Sequence, residues 1–169
     1  MVKQIQTLLI VLLISISLKA KSQTYLITGR VQQTFSYCGG ANPTQKILDN
    51  YAKPQAFANK KFYIRKGKKN NIHKRIISEF TTDSTGNFSL KLPQGTYSIL
   101  VEEQVHAIKS KDYANKFQTV DESCLQAWWQ KPYYLLIVEK NNIPLNFSFH
   151  HQCYIKNDIP CITDRKSVV

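Results

Sequence analysis

The sequence predicts an all-β chain folded as an antiparallel sandwich, with one or two short helices in the connections. Three observations lead there. Short segments of alternating apolar and polar residues recur along the 169 residues, separated by Gly, Pro, Asn and Asp turn signals. Helical spacing is confined to two short stretches, near residues 43–51 and 121–130. The composition, 43% hydrophobic and 20% charged, is that of a chain that packs a core, and it excludes disorder, collagen-like repeats and a multi-span membrane protein. The length suits one ordinary domain with a short extra segment and excludes two large domains.

The first strand is expected from Tyr25 to Phe35, with Tyr25, Ile27, Gly29 and Val31 on one parity, and Cys38-Gly39-Gly40 ends it. From Pro43 to Tyr51 the spacing of Ile47, Leu48 and Tyr51 predicts a helical turn or two. A second strand covers Lys61 to Lys66, Phe62 and Ile64 alternating against Tyr63 and Arg65, and a third runs from Ile72 to Thr82 after the basic loop Gly67 to Asn71. Thr82 to Phe88 then reads as a tight hairpin, the Asp83 carboxylate accepting turn N–H groups and Gly86 taking positive φ. Phe88, Leu90 and Leu92 alternate up to a second turn, Leu92-Pro93-Gln94-Gly95, from which Thr96 to Glu102 leaves as another strand. Lys109 to Lys116 is polar and reads as loop. Asp121 to Gln130 has acids at its start and is stopped by Pro132, as expected of a short helix that packs Leu125, Trp128 and Trp129 inward. The last strands are Tyr133 to Glu139, so continuously apolar that a central place is expected, and Pro144 to Tyr154, with the Asn141-Asn142 turn between them. Thr163 to Val169 reads as a frayed tail.

The N-terminus reads as an address. Lys3 precedes a twelve-residue, nearly all-apolar run, Thr7 to Leu18, too short to span a bilayer comfortably. Ala20 and Ser22 occupy the small-residue positions of a signal-peptidase cut before Gln23. Residues 1–22 are therefore expected to be a secretory signal and 23–169 the sandwich domain; the alternatives are an uncleaved N-terminal anchor and a buried helix or strand. No Cys lies near the cut, which disfavours a lipoprotein. The expected location is periplasmic, cell-surface or secreted, with no transmembrane segment in the mature chain.

The chain carries 23 Lys+Arg against 11 Asp+Glu, and removal of 1–22 takes away Lys3, Lys19 and Lys21 but no acid, so the excess belongs to the mature domain. It is concentrated between Lys60 and Arg75, where Lys66, Lys68, Lys69, Lys74 and Arg75 form a run without an acid. Such a run attracts phosphate or sulfate at long range, although most such runs are solvated loops. Aromatics that could stack on bases are scarce there, so no specific nucleic acid is expected.

Four cysteines in an exported chain, Cys38, Cys124, Cys153 and Cys161, read as two disulfides. Sequence alone leaves three connectivities open. The bend-prone Asn157, Asp158 and Pro160 between the last two favour Cys153 with Cys161, and hence Cys38 with Cys124. The rival chemistry is a zinc or copper site on His151, Cys153 and Cys161, opposed by the opposite faces that His150 and His151 take in a strand. Calcium at Asp83 to Asn87 would have a single carboxylate. No Gly-x-Ser-x-Gly elbow or Gly-rich phosphate loop occurs, and no catalytic residue, metal or cofactor is assigned.

The residues Thr82-Asp83-x-x-Gly86-x-Phe88-x-Leu90-x-Leu92-Pro93-x-Gly95-x-Tyr97, preceded by Gly29-x-Val31 and by Phe62 to Gly67, resemble the carboxypeptidase regulatory-like domains. The resemblance covers about half of the mature chain. It implies a seven-stranded transthyretin-like (prealbumin-like) sandwich serving as an accessory or adhesive module, in which these positions are structural. The hydroxyisourate hydrolases share that fold, but their C-terminal Tyr-Arg-Gly-Ser tail is absent here. The chain is thus expected to be a non-enzymatic exported module that binds a protein or envelope component. Its candidate contacts are Lys66, Lys68, Lys69, Lys74 and Arg75, together with Trp128 and Trp129 as an aromatic platform. Polyanion or glycan binding through Lys60 to Arg75 is the second reading, and the metal site the third.

Overall fold

A computed structural model of the chain describes residues 23–40, 42–113, 118–139, 144–153 and 159–164. The expected leader 1–22, the end of the 109–116 loop, the Asn141-Asn142 turn, Asn157, Asp158 and the tail from residue 165 lie outside the described residues.

Two sheets pack face to face. The axis of the first is β1 (Thr24–Phe35). Along one side of it run β5 (Asn87–Pro93), antiparallel from Thr24 opposite Pro93 to Arg30 opposite Asn87, and then the two-residue β2 (Gln55–Ala56). On the other side lies β9 (Leu145–His151), from Gly29 opposite Leu145 to Phe35 opposite His151. This pair is parallel, so the sandwich is mixed and departs from the expected antiparallel form. The second sheet has the order β4 (Ile76–Thr81), β3 (Lys61–Lys66), β6 (Gly95–Leu100), β8 (Tyr134–Val138), antiparallel throughout. A separate two-stranded ribbon joins β7 (Gln118–Val120) to β10 (Ile162–Asp164), so the tail begins as a strand. The helices are α1 (Gln45–Ala52) and α2 (Glu122–Gln130).

Period-two burial builds the main core. Ile27 and Val31 of β1, Phe88, Leu90 and Leu92 of β5, and Leu145, Phe147 and Phe149 of β9 face Phe62, Ile64, Phe80, Tyr97, Ile99, Leu136 and Val138 of the other sheet. Aromatic rings meet across it: Phe80 stacks on Phe88 at 4.2 Å between centroids, and Phe62 meets Phe147 edge-on at 5.6 Å. At Gly29 a Cβ would lie 2.0 Å from the Leu145 carbonyl oxygen, so only glycine lets β9 approach β1 there. A second, smaller core gathers Leu125 and Trp129 of α2 with Ile108, Ile159, Cys161 and Ile162, and Trp128 packs against both cores.

Three expectations are corrected. The two hairpins are not hairpins. The local chemistry of the first turn is as expected: Asp83 Oδ1 accepts from Thr85 N–H at 2.8 Å and Asn87 N–H at 2.9 Å, and Gly86 has φ of +83°. But β4 and β5 belong to opposite sheets, as do β5 and β6. Both turns carry the chain across the core, and the second is held by the Tyr97 hydroxyl donating to the Pro93 carbonyl at 2.8 Å. A turn fixes chain reversal, while the sheet a strand joins is decided by long-range pairing, here the seven-residue register of β5 on β1.

The apolar strand β8, expected at the centre, is an edge. It pairs only with β6 among the described residues, burying Leu136 and Val138 and exposing Leu135 and Ile137. The disulfides are Cys38–Cys153 and Cys124–Cys161, not the expected pairs. Parallel pairing explains the first, because it brings the C-terminal ends of β1 and β9 together, with Cys38 and Cys153 just beyond Phe35 and His151. The ribbon explains the second: β7 leads into α2, and Asp121 N–H donates to the Cys161 carbonyl at 3.1 Å, setting Cys161 beside Cys124. Closing sequence separations of 115 and 37 residues stabilises the fold by about 5 and about 4 kcal/mol in the chain-entropy model.

Candidate functional site

The basic segment is fixed in place by a buried polar network beneath it. Its base is Arg65, which the alternation of β3 assigns to the solvent side but which is only 4% exposed. A bulge helps to place it: Ile64 pairs with Ser78 and Arg65 with Ile76, leaving Ile77 as an extra residue on β4. The Arg65 guanidinium donates to the Asn70 side-chain oxygen and to the Gln104 and Val105 carbonyls, and lies 5.9 Å over the Trp129 ring. No carboxylate joins it; among the described residues the one ion pair is Lys61 with Glu79, at 2.8 Å on the surface. Burial therefore lowers the Arg65 pKa, and amide oxygens compensate the guanidinium only in part, its buried Nε having no partner among the described residues.

Asn70, 3% exposed, is the junction. Its side-chain nitrogen donates to the Gln104 carbonyl at 2.8 Å and the Trp129 carbonyl at 2.9 Å, while its backbone N–H donates to the Gln130 carbonyl at 2.9 Å. Gln104 donates from Nε2 to the carbonyls of Trp128, at 3.1 Å, and Lys131, at 2.7 Å. Lys131 N–H donates to the Ala127 carbonyl at 3.1 Å. A helix leaves its last four carbonyls without intrahelical partners. In α2 those of residues 127–130 are all satisfied, three of them by Asn70 and Gln104.

The loop above is thus pinned at both ends. Gly67, at φ of +125°, donates its N–H to the Thr96 carbonyl and accepts from the Ser98 hydroxyl, each at 2.8 Å. Asn71 turns the chain back, its side-chain oxygen accepting from His73 N–H at 2.9 Å and its carbonyl from Lys74 N–H at 3.0 Å. Lys69, Lys74, His73 and Gln130 line a groove of about 420 Å³ whose floor includes Asn70 and Trp129. Lys66, Lys68, Lys69, Lys74 and Arg75 are all exposed, and the groove brings together Lys69 and Lys74 of the five.

The other expected sites fare differently. Trp129 is buried and donates its indole N–H to the His106 carbonyl at 2.6 Å, while the half-buried Trp128 lines a small pocket with Phe57, Tyr133 and Phe149, so the two do not form the paired platform expected. The metal reading on His151, Cys153 and Cys161 fails because both sulfurs are spent in separate disulfides. His151 stacks on Phe35, centroids 4.8 Å apart, with Nε2 3.1 Å from Gln33 Oε1. Asp83 serves the turn as an acceptor, and those hydrogen bonds, that from the Thr85 hydroxyl foremost, hold its carboxyl below the usual range.

Sequence reasoning missed one arrangement with chemical content. His150 lies between two hydroxyls, Nε2 2.9 Å from Ser36 Oγ and Nδ1 2.9 Å from Thr34 Oγ1. A nucleophile and base at this distance are one part of a hydrolytic site. Here a hydroxyl stands where a carboxylate would hold an imidazolium, and Ser36 N–H is already donated to the His151 carbonyl at 2.9 Å. Parallel register, which sets Thr34 opposite His150, accounts for the cluster. Comparison with family models, with curated proteins and with solved structures finds no match for this chain.

Proposed function

We propose that the chain is a non-enzymatic, exported β-sandwich binding module that engages an anionic component of the cell envelope through its basic 66–75 segment. The observation that carries this reading is the anchoring of that segment. Five exposed cations with no acidic partner among the described residues stand on a loop pinned by the buried Asn70 and Gln104. A solvated run needs no such foundation, whereas a pinned cationic groove meets a polyanion without first ordering its own backbone.

Export is supported by the charged, apolar and small-residue pattern of 1–22 and by two disulfides, which fit an oxidising compartment. No helix among the described residues is long and apolar enough to cross a membrane. The two-sheet architecture is consistent with a transthyretin-like sandwich for residues 23–169, the part we assign to the finer fold.

Retention on immobilised heparin and binding of long-chain polyphosphate, measured over a salt series, test the reading. Each phosphate that goes unneutralised reduces the slope of log affinity against log salt by roughly 0.7–0.9, so Lys69→Gln with Lys74→Gln should flatten the polyphosphate slope by about 1.5. The melting temperature should hardly move, since both side chains are exposed and make no ion pair among the described residues. An unchanged slope in the double variant overturns the assignment.

A further inference from the structure

The edge of β8 lacks the devices that keep sheet edges solitary. Natural edge strands carry a charge, a proline or a bulge. Tyr134 to Val138 carries no charge and no proline, and its register with β6 is unbroken. Leu135 and Ile137 are 40% and 59% exposed, and among the described residues nothing pairs with the outer side of the strand. Beside this edge the two sheets part. Because β9 starts only at Leu145, opposite Gly29, the first residues of β1 have no described strand neighbour on that side. A cleft of about 380 Å³ opens there between Tyr25 and Ile27 of β1 and the length of β8. Among the described residues its lining carries one charge, Glu139, just past the end of β8.

We propose that the free edge of β8 and this cleft form a strand-addition groove for an extended peptide, with aliphatic side chains at alternate positions and a single cation at its N-terminal end. The main-chain N–H and C=O groups on the outer side of β8 give a peptide strand its hydrogen bonds, and the cleft takes every second side chain. Antiparallel pairing sets the peptide's N-terminal end beside Val138, where Glu139 meets the cation. Charge selects the occupant. The described lining offers an anion an acid, Glu139, and no cation, which sets it apart from the basic loop. A second copy is disfavoured too: pairing centred on Leu136 would set Glu139 against Tyr133, and it would bring together two chains of net charge +12.

The test is a chemical-shift titration of the ¹⁵N-labelled, disulfide-intact protein. The probe is a C-terminally amidated heptapeptide that begins with lysine and alternates valine with threonine. Saturable shifts are expected at Leu135, Leu136 and Ile137, and at Tyr25 and Ile27, with the protein remaining monomeric by sedimentation. A proline at the centre of the peptide should weaken binding at least about tenfold, as should Ile137→Lys or Leu135→Lys, each of which puts a charge on an already exposed edge. Glu139→Gln should weaken the lysine-led peptide and leave an acetylated, norleucine-led version unaffected. The proposal is overturned by the absence of saturable shifts, by shifts centred on residues 66–75, or by β8 signals that move with protein concentration alone as the mass doubles. Polyphosphate binding by Ile137→Lys should be normal, which separates failure here from failure of the basic-loop reading.

Discussion

Replacing Asn70 by alanine removes the junction between β3, α2 and the basic loop. Three side-chain hydrogen bonds go, one accepted from the Arg65 guanidinium and two donated, to Gln104 at 2.8 Å and Trp129 at 2.9 Å. Net contributions of about 0.5–1.5 kcal/mol for each neutral bond and about 1.5–3 kcal/mol for the charged one put the loss at about 2.5–6 kcal/mol. Most of that is the desolvation left behind, since the Trp129 carbonyl and part of a buried guanidinium lose partners that water replaces only if the site opens. Urea unfolding of the disulfide-intact chain measures it as a fall in midpoint at constant slope. Asn71→Ala, one position along on the exposed side, removes a single turn bond to His73 and should cost less than about 1 kcal/mol. Equal midpoints for the two variants would refute the claim that the network bears the loop.

Three other outcomes follow from the fold. Non-reducing peptide mapping should return Cys38 linked to Cys153 and Cys124 linked to Cys161, and any other pairing contradicts the parallel register of β1 and β9. Gly29→Ala should cost about 2–4 kcal/mol in thermal or urea unfolding, because its Cβ meets the backbone of β9 and no side-chain rotation relieves it. Asp121→Ala should lower the melting temperature at neutral pH and lose that effect in acid. The Asp121 carboxyl is held below its usual range, first by the Cys124 N–H and then by the Ser123 hydroxyl. Its stabilisation is therefore present above the unfolded value of about 3.9 and disappears as pH falls through the folded one, so the two melting curves should converge below about pH 4. A gap that persists to pH 2 counts against this cap.

Strands were legible wherever alternation was strict. The Lys61 to Lys66 segment is β3 residue for residue, and the acids before Leu125 with Pro132 beyond bracket α2, whose N-cap Asp121 accepts from Cys124 N–H at 3.0 Å. Sheet membership was not legible. Phe80 and Phe88 bury the same face whether their strands neighbour each other or oppose each other, so a reversing turn between them is silent on the choice. The same ambiguity misplaced β8. A continuous apolar run suits a central strand with both faces covered, yet it also suits an edge whose outer residues, Leu135 and Ile137, stay partly bare. The cysteine pairing, expected from the bend-prone residues between Cys153 and Cys161, went wrong because spacing along the chain carries no information about which strand ends lie side by side.

The site was legible as a charge run, and its foundation was not. Arg65 sits on the polar parity of β3, and what covers it comes from 5 to 40 residues further along: Asn70, then the Gln104 and Val105 carbonyls. No local pattern announces that a lone cation will be enclosed. The absence of any acid between Asp49 and Glu79 was the available signal, and it admits two meanings, an open loop repelling itself into solvent or a set of charges kept uncompensated. Burial of Arg65 without a carboxylate among the described residues supports the second meaning, the one proposed above. A guanidinium paired to an acid would add little to the field at the groove, whereas one held only by neutral oxygens keeps its charge against Asn70 and Trp129, which line the groove of Lys69 and Lys74. Arg65→Met should therefore weaken polyphosphate binding even though Arg65 itself is out of a ligand's reach. If that variant folds and binds with the parent's salt dependence, the charge of Arg65 plays no part in binding and its role is confined to packing.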